Sequence, residues 1–147
     1  MSHRITVSPK LNAPEADLDA IAQTILDYML GGHEKRAQAL HPALAKRAFV
    51  PHPRTGNAVL REVTHSELVE TVRCVPDQTD KQSAQEQRAQ ITIYDVFEDI
   101  AMVKAVAAAY VDYIHLAKVY GDWQIINVLC RPPYRTASRE PVSMGII

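Results

Sequence analysis

Residues Tyr110 to Cys130, YVDYIHLAKVYGDWQIINVLC, constrain the fold of this chain more than any other stretch. Two runs alternate apolar and polar residues at the period of a pleated strand. Tyr120-Gly121-Asp122 separates them, so the stretch reads as a β-hairpin. It contains the single tryptophan, Trp123, and a lone acid, Asp112, in an otherwise apolar wall. A carboxyl group in that position must find a partner or serve chemistry, because burial disfavours its charged form.

The rest of the chain suits one domain around one core. Its 147 residues and 47% hydrophobic content are enough for a packed interior. We expect a single domain over 1–147, with a core over about 12–131 and arms at 1–11 and 132–147. A net charge of −1 gives no electrostatic reason to expect nucleic acid or an anionic membrane as partner. Cys74 and Cys130 show no Cys-x-x-Cys spacing and read as reduced thiols. Histidines at 3, 33, 41, 52, 65 and 115 show no paired ligand spacing, so no metal is expected. No dinucleotide fingerprint, phosphate loop or Ser-His-Asp arrangement appears, and no cofactor is expected. Met1–Leu11 lacks the apolar core of a secretory signal. The longest apolar run, Ile100–Leu116, is broken by Lys104 and Asp112, which suits a soluble, cytoplasmic protein better than a membrane span.

In chain order, Met1–Leu11 reads as an irregular arm. Asn12-Ala-Pro-Glu15 carries helix-start signals, a capping Asn and an acid three residues later. Leu18, Ile21, Ala22, Ile25, Leu26 and Met29 then follow helical spacing, and Gly31-Gly32 ends the helix through a left-handed cap. A second helix is expected from His33 to about His41, limited by Pro42. Ala45–Val50 and Ala58–Val63 read as short strands around an irregular turn. Thr64-His-Ser-Glu67 has the capping-box pattern and opens a third helix, with Leu68, Val69 and Val72 facing the core. Pro76–Glu86 reads as an exposed loop. After Gln87 the pattern becomes β, with Ile91, Ile93 and Phe97 alternating, a turn at Glu98-Asp99, and a strand over Ala101–Ala107. The tail ends in Met144-Gly-Ile-Ile, which would prefer cover. Helices gathered on one face of a bent antiparallel sheet make an α+β fold.

Four segments resemble a known family: Tyr28-x-x-Gly-Gly, Ala39-Leu-His-Pro42, Val111–Lys118, and Gly121-Asp-Trp-Gln-Ile-Ile-Asn127. In order and spacing they look like the lumazine-binding-like family of the nuclear transport factor 2 (NTF2-like) superfold, which also holds SnoaL-like cyclases and ketosteroid isomerases. The resemblance spans roughly Asp17 to Arg131. It implies a cone, a strongly bent sheet wrapped around the first helix with a pocket at the open end, and a homodimer through the outer sheet face. Odd residues of Val111–Val119 would face outward, and Tyr110, Asp112, Ile114 and Leu116 would face the pocket. Ile126, Val128 and Cys130 would join them in the isomerase register. A slip of one residue would substitute Ile125, Asn127 and Leu129. His41 and Phe49 complete the expected lining.

The same resemblance sets Tyr28 and Asp112 where isomerases hold a developing enolate with two hydrogen-bond donors. The isomerase base, an Asp just before a proline, has no counterpart in Ala48-Phe49-Val50-Pro51, and His52 is the nearest proton acceptor. Plainer roles stand beside these. Tyr28 can be a core aromatic with a buried partner, Asp112 a structural acid, His41 a helix-end group, and Trp123 a core anchor. Two functions follow. One is a small-organic-molecule site with cofactor-independent isomerase, lyase or cyclase chemistry by Tyr28, Asp112 and His52 or His41. The other is a non-catalytic ligand-binding or protein-interaction module on the same fold.

Overall fold

The computed structural model describes residues 3–51, 54–68, 88–108 and 110–131. Helix α1, Glu15–Leu30, forms over the stretch with helical apolar spacing, and its innermost residues are Ile21, Ala22, Thr24, Ile25 and Tyr28. Leu18, Leu26 and Met29 pack at the margin, so the buried stripe leans towards Tyr28. Pro14 holds the N-cap position without a side-chain cap bond, so the expected box from Asn12 to Glu15 does not form. Glu15 and Asp17 instead place negative charge in the first turn, where the helix dipole favours it.

Gly31 ends α1 for a different reason from the one expected. Its backbone is extended, with φ −73°, rather than left-handed. A Cβ there would strike the carbonyl oxygen of Asp27, which accepts the Gly31 N–H at 3.0 Å. Helix α2, His33–Ala39, is followed directly by strand β2, Leu40–Pro51. Pro42 therefore sits in a strand, not at a helix end. It is tolerated there because the pairing of β2 slips between Leu40 and Ala45.

Strand β3, Ala58–Val63, returns antiparallel to β2. The Thr64–Glu67 box forms as expected. The Glu67 N–H donates to Thr64 Oγ1 at 3.1 Å and the Thr64 N–H to Glu67 Oε1 at 2.9 Å. Residues 65–68 are helical and Leu68 is buried. Val69, Val72 and the expected 76–86 loop lie outside the described residues.

The N-terminal arm is in part a strand. β1, Arg4–Val7, runs parallel to β4, Ala89–Phe97, at the sheet edge. With β5 (Ile100–Ala107), β6 (Tyr110–Val119) and β7 (Asp122–Arg131), the sheet order is β1-β4-β5-β6-β7-β2-β3. Pairing is antiparallel from β4 through β7 and between β2 and β3, and parallel where β1 and β2 join. The expected hairpin turn is present, with Tyr120 at φ 51° and Gly121 at φ 86°, the left-handed pair of a type I′ turn.

Two bulges bend the curved, unclosed sheet and reset which side chains point inward. In β4, Ile93 pairs with Val103 but Asp95 pairs with Met102, leaving Tyr94 as the extra residue. Ile91 and Ile93 are therefore buried, whereas Phe97, expected on their face, is 66% exposed. In β7, Asn127 pairs with His115 and Ile125 with Leu116, leaving Ile126 unpaired. Trp123 and Ile125 point inward before the bulge, and Val128 and Cys130 after it. Each alternative register expected for β7 describes only part of the strand.

Candidate functional site

Two sets of contacts fix α1 against the hairpin. Asp17 Oδ1 accepts from the Trp123 indole N–H at 3.2 Å and from Lys118 Nζ at 3.0 Å. Two turns along the helix from Asp17, Thr24 Oγ1 reaches the Trp123 carbonyl at 3.2 Å and the Ala20 carbonyl at 2.9 Å. The Asp17 carboxyl is held below its usual range by the Lys118 bond first and the Trp123 bond second.

Thus positioned, Tyr28 carries its hydroxyl to the inner face of β6, where it donates to Asp112 Oδ2 at 2.8 Å. Lys46 of β2 donates from Nζ to the same hydroxyl oxygen at 2.9 Å. All three side chains are buried, with Tyr28 5%, Lys46 5% and Asp112 4% exposed. The Lys46 ammonium lies 5.4 Å from the Tyr28 ring centroid. With the hydroxyl only 2.9 Å away, it sits beyond the ring edge, so the contact is a hydrogen bond and not a cation over the ring face.

The direction of this chain is set by chemistry. A lysine ammonium can only donate, so the Tyr28 oxygen accepts from it and spends its own proton on Asp112. Burial first, and the Asp112 charge second, push the Tyr28 hydroxyl well above its ordinary pKa. Cys130 pairs with Asp112 across β6 and β7, and burial pushes its thiol up to about 12, with the Asp112 charge adding to the effect. That thiol is no nucleophile at neutral pH. Arg36 of α2 lies close enough for its charge to favour the Tyr28 phenolate, although burial lowers its own pKa. Its Nη2 contacts the Met29 carbonyl at 3.4 Å, and its buried Nε has no hydrogen-bond partner among the described residues.

The site therefore differs from the expected pair of oxyanion donors. Tyr28 and Asp112 do meet, but Asp112 is an acceptor and Tyr28 has no free proton. Lys46 is the group with hydrogen bonds to spare, and it was missed in the sequence. The available signal was parity in β2, since Leu44 and Ala48 are inward and Lys46 lies between them. Arg47, the next residue, is exposed on the opposite face.

Ile114, Leu116 and Val128 are buried on the same sheet face as Asp112. Ile126 is half-buried because it is the bulge residue. Phe49 points to the opposite face, paired with exposed Leu60, since inward Ala48 fixes the strand parity. His41 is half-exposed and its Nδ1 accepts from the Ala43 N–H at 2.9 Å, a local contact away from the cluster. His52 lies outside the described residues. An open groove of about 390 Å³ runs between Pro42–Ala45 and Glu62–Ser66, and none of Tyr28, Lys46 and Asp112 lines it. Among the described residues, no three His, Cys, Asp or Glu side chains are grouped to hold a metal ion, and no helix is long and apolar enough to cross a membrane.

An α+β fold with helices packed on a seven-stranded, curved, unclosed sheet is of the NTF2-like class. Residues 16–129 match the model of the family described as "Putative lumazine-binding", and the chain belongs to that family. Similar solved structures include an NTF2-like protein of unknown function from Silicibacter pomeroyi DSS-3, with TM-score 0.61 and 15% identity over 82% of this chain and 98% of that one. Another, from Shewanella baltica OS155, has TM-score 0.56 and 15% identity over 81% and 95%. A third, from Methylobacillus flagellatus KT, has TM-score 0.53 and 18% identity over 82% and 94%. At these identities the likeness speaks for the fold alone. Comparison with curated proteins gives no match.

Proposed function

We propose that the protein binds a small organic molecule between α1 and the sheet, with Lys46, Tyr28 and Asp112 forming the polar end of the site. One observation carries the reading. Lys46 is 5% exposed, and among the described residues its only hydrogen-bond partner is the Tyr28 hydroxyl. A buried ammonium is costly, and apolar residues of similar volume would stabilise a core at least as well. An ammonium with N–H groups to spare is suited to a ligand oxygen. The apolar wall of Ile114, Leu116 and Val128 suits the rest of a mostly apolar molecule.

The chemistry that fits such a site is cofactor-independent acid–base chemistry. Lys46 would donate to a carbonyl or enolate oxygen, and Tyr28 and Asp112 would balance the charge. Isomerisation, elimination and cyclisation share that requirement. The family description makes lumazine a reasonable first probe. Fluorescence titration with lumazine should show saturable binding that Tyr28→Phe weakens at least about tenfold. Equal binding by both proteins, or none by either, would count against the site.

A second reading concerns assembly and rests on a separate observation. Phe97, Ile100, Met102, Tyr113 and Leu129 are all at least 44% exposed. All project from the outer face of the sheet, where Tyr113 pairs with Leu129. An apolar face of that kind is suited to a second copy of the chain, giving a homodimer.

A further inference from the structure

Strand β1 is held lightly. It has four residues, three of them exposed, and it joins the edge of β4 by parallel pairing. At its far end Val7 and Leu11 pack against the core, and the Ser8 N–H donates to the Ile93 carbonyl at 3.1 Å. At its near end the ladder stops at the pair Arg4 and Gln90, one residue short of Ala89. Ala89 is 1% exposed, and its N–H donates to His3 Nδ1 at 3.0 Å. A backbone N–H can only donate, so this ring nitrogen is bare and the ring carries its proton on Nε2. His3 has no other hydrogen bond or ion pair among the described residues.

We infer that His3 is a proton-operated latch: neutral, it closes β1 onto β4, and protonated, it releases the arm. An imidazolium has an N–H on both nitrogens and no acceptor, so its Nδ1–H would face the Ala89 N–H. The Ala89 donor would then be buried without a partner. Nothing charged nearby relieves this. β1 packs chiefly on β4, where Ala89, Gln90 and Ile91 carry no charge, and Ala107 of β5, which pairs with Ala89, carries none either. The charged residues flanking the contact in sequence are Arg4 on β1 and exposed Arg88 just before β4, both cations. One hydrogen bond shifts an equilibrium by up to about tenfold. For a four-residue edge strand that is a large share of what holds it, and such segments open without global unfolding. Release bares the N–H and C=O groups along the edge of β4, a row on which another strand can pair.

The test is NMR of the ¹⁵N-labelled full chain between about pH 8 and pH 5, the span over which histidine side chains ordinarily change charge. Long-range ¹H–¹⁵N spectra at the upper pH should show the His3 ring protonated at Nε2 alone. The reporter of arm docking is the Ser8 amide, whose exchange is compared with the intrinsic rate at each pH. Its protection should fall about tenfold from the upper to the lower pH. His3→Ala, at the sheet edge and outside the core, should show the low protection at both. That variant also separates His3 from the other histidines, which it leaves in place. Protection that does not change with pH in the wild-type protein would overturn the latch. So would an equal fall in His3→Ala, full protection in that variant, or a His3 ring protonated at Nδ1 at the upper pH.

Discussion

Tyr28 on α1 and Asp112 on β6, 84 positions apart in sequence, meet in a buried hydrogen bond of 2.8 Å whose proton belongs to the tyrosine. The bond ties the helix to the sheet at the point where Lys46 also arrives. It links fold to site, because the contacts that seat α1 on the hairpin also decide where a ligand would find a buried ammonium.

Removing the hydroxyl should expose that coupling. Tyr28→Phe leaves Lys46 and Asp112 buried without the atom that joins them, and should destabilise the protein by about 2–4 kcal/mol at pH 7 in urea unfolding. A loss below about 0.5 kcal/mol would mean that the three groups are not coupled in solution.

Gly31→Ala tests the helix end. Its φ is acceptable to alanine, so any cost must come from the added Cβ against the Asp27 carbonyl. A loss of about 1–3 kcal/mol is expected from such crowding. A neutral substitution would contradict the close approach.

Asp17 should make the helix–hairpin contact acid-sensitive. Its folded pKa is depressed, so its contribution is present above the ordinary carboxylate value near 4 and is lost as the pH falls through the folded value. Trp123 shares that carboxyl, so its fluorescence should change as the pH falls below the ordinary carboxylate range. Asp17→Asn should remove the change. An unchanged profile in the variant would assign the acid transition elsewhere.

Cys130 should be silent. Its thiol, pushed up to about 12, should react with a disulfide reagent at pH 8 more than about 100-fold slower in the native protein than after unfolding. The measurement belongs in a Cys74→Ser background. Fast native reaction would show that the Asp112–Cys130 region is open.

The outer face carries the assembly prediction. Sedimentation at micromolar concentration should give a dimer, and Tyr113→Glu with Leu129→Lys should give a folded monomer, since both residues are exposed within one protomer. A wild-type monomer would contradict the homodimer.

Much of this architecture was legible in the sequence. The hairpin turn, the Thr64–Glu67 box, β3 and the burial of Asp112 follow from local chemistry that acts over three or four residues. The β-bulges were not legible, because one extra residue at Tyr94 or Ile126 leaves composition unchanged while inverting every later side chain. That inversion put Phe97 outside and split the inner face of β7 between odd and even positions. Lys46 was hidden for a related reason. A lysine beside an arginine looks solvated until the strand's parity is known.

The central claim is that Lys46 is a buried ammonium bound to the Tyr28–Asp112 pair and available to a ligand. The most direct measurement is the Nζ–H resonance of Lys46 in ¹⁵N-lysine-labelled protein. Burial should slow proton exchange enough to give one protected Nζ cross-peak at pH 7. It should vanish in Lys46→Met and move in Tyr28→Phe. If no protected resonance is seen, or if one is indifferent to Tyr28→Phe, Lys46 is solvated and the site does not exist in this form.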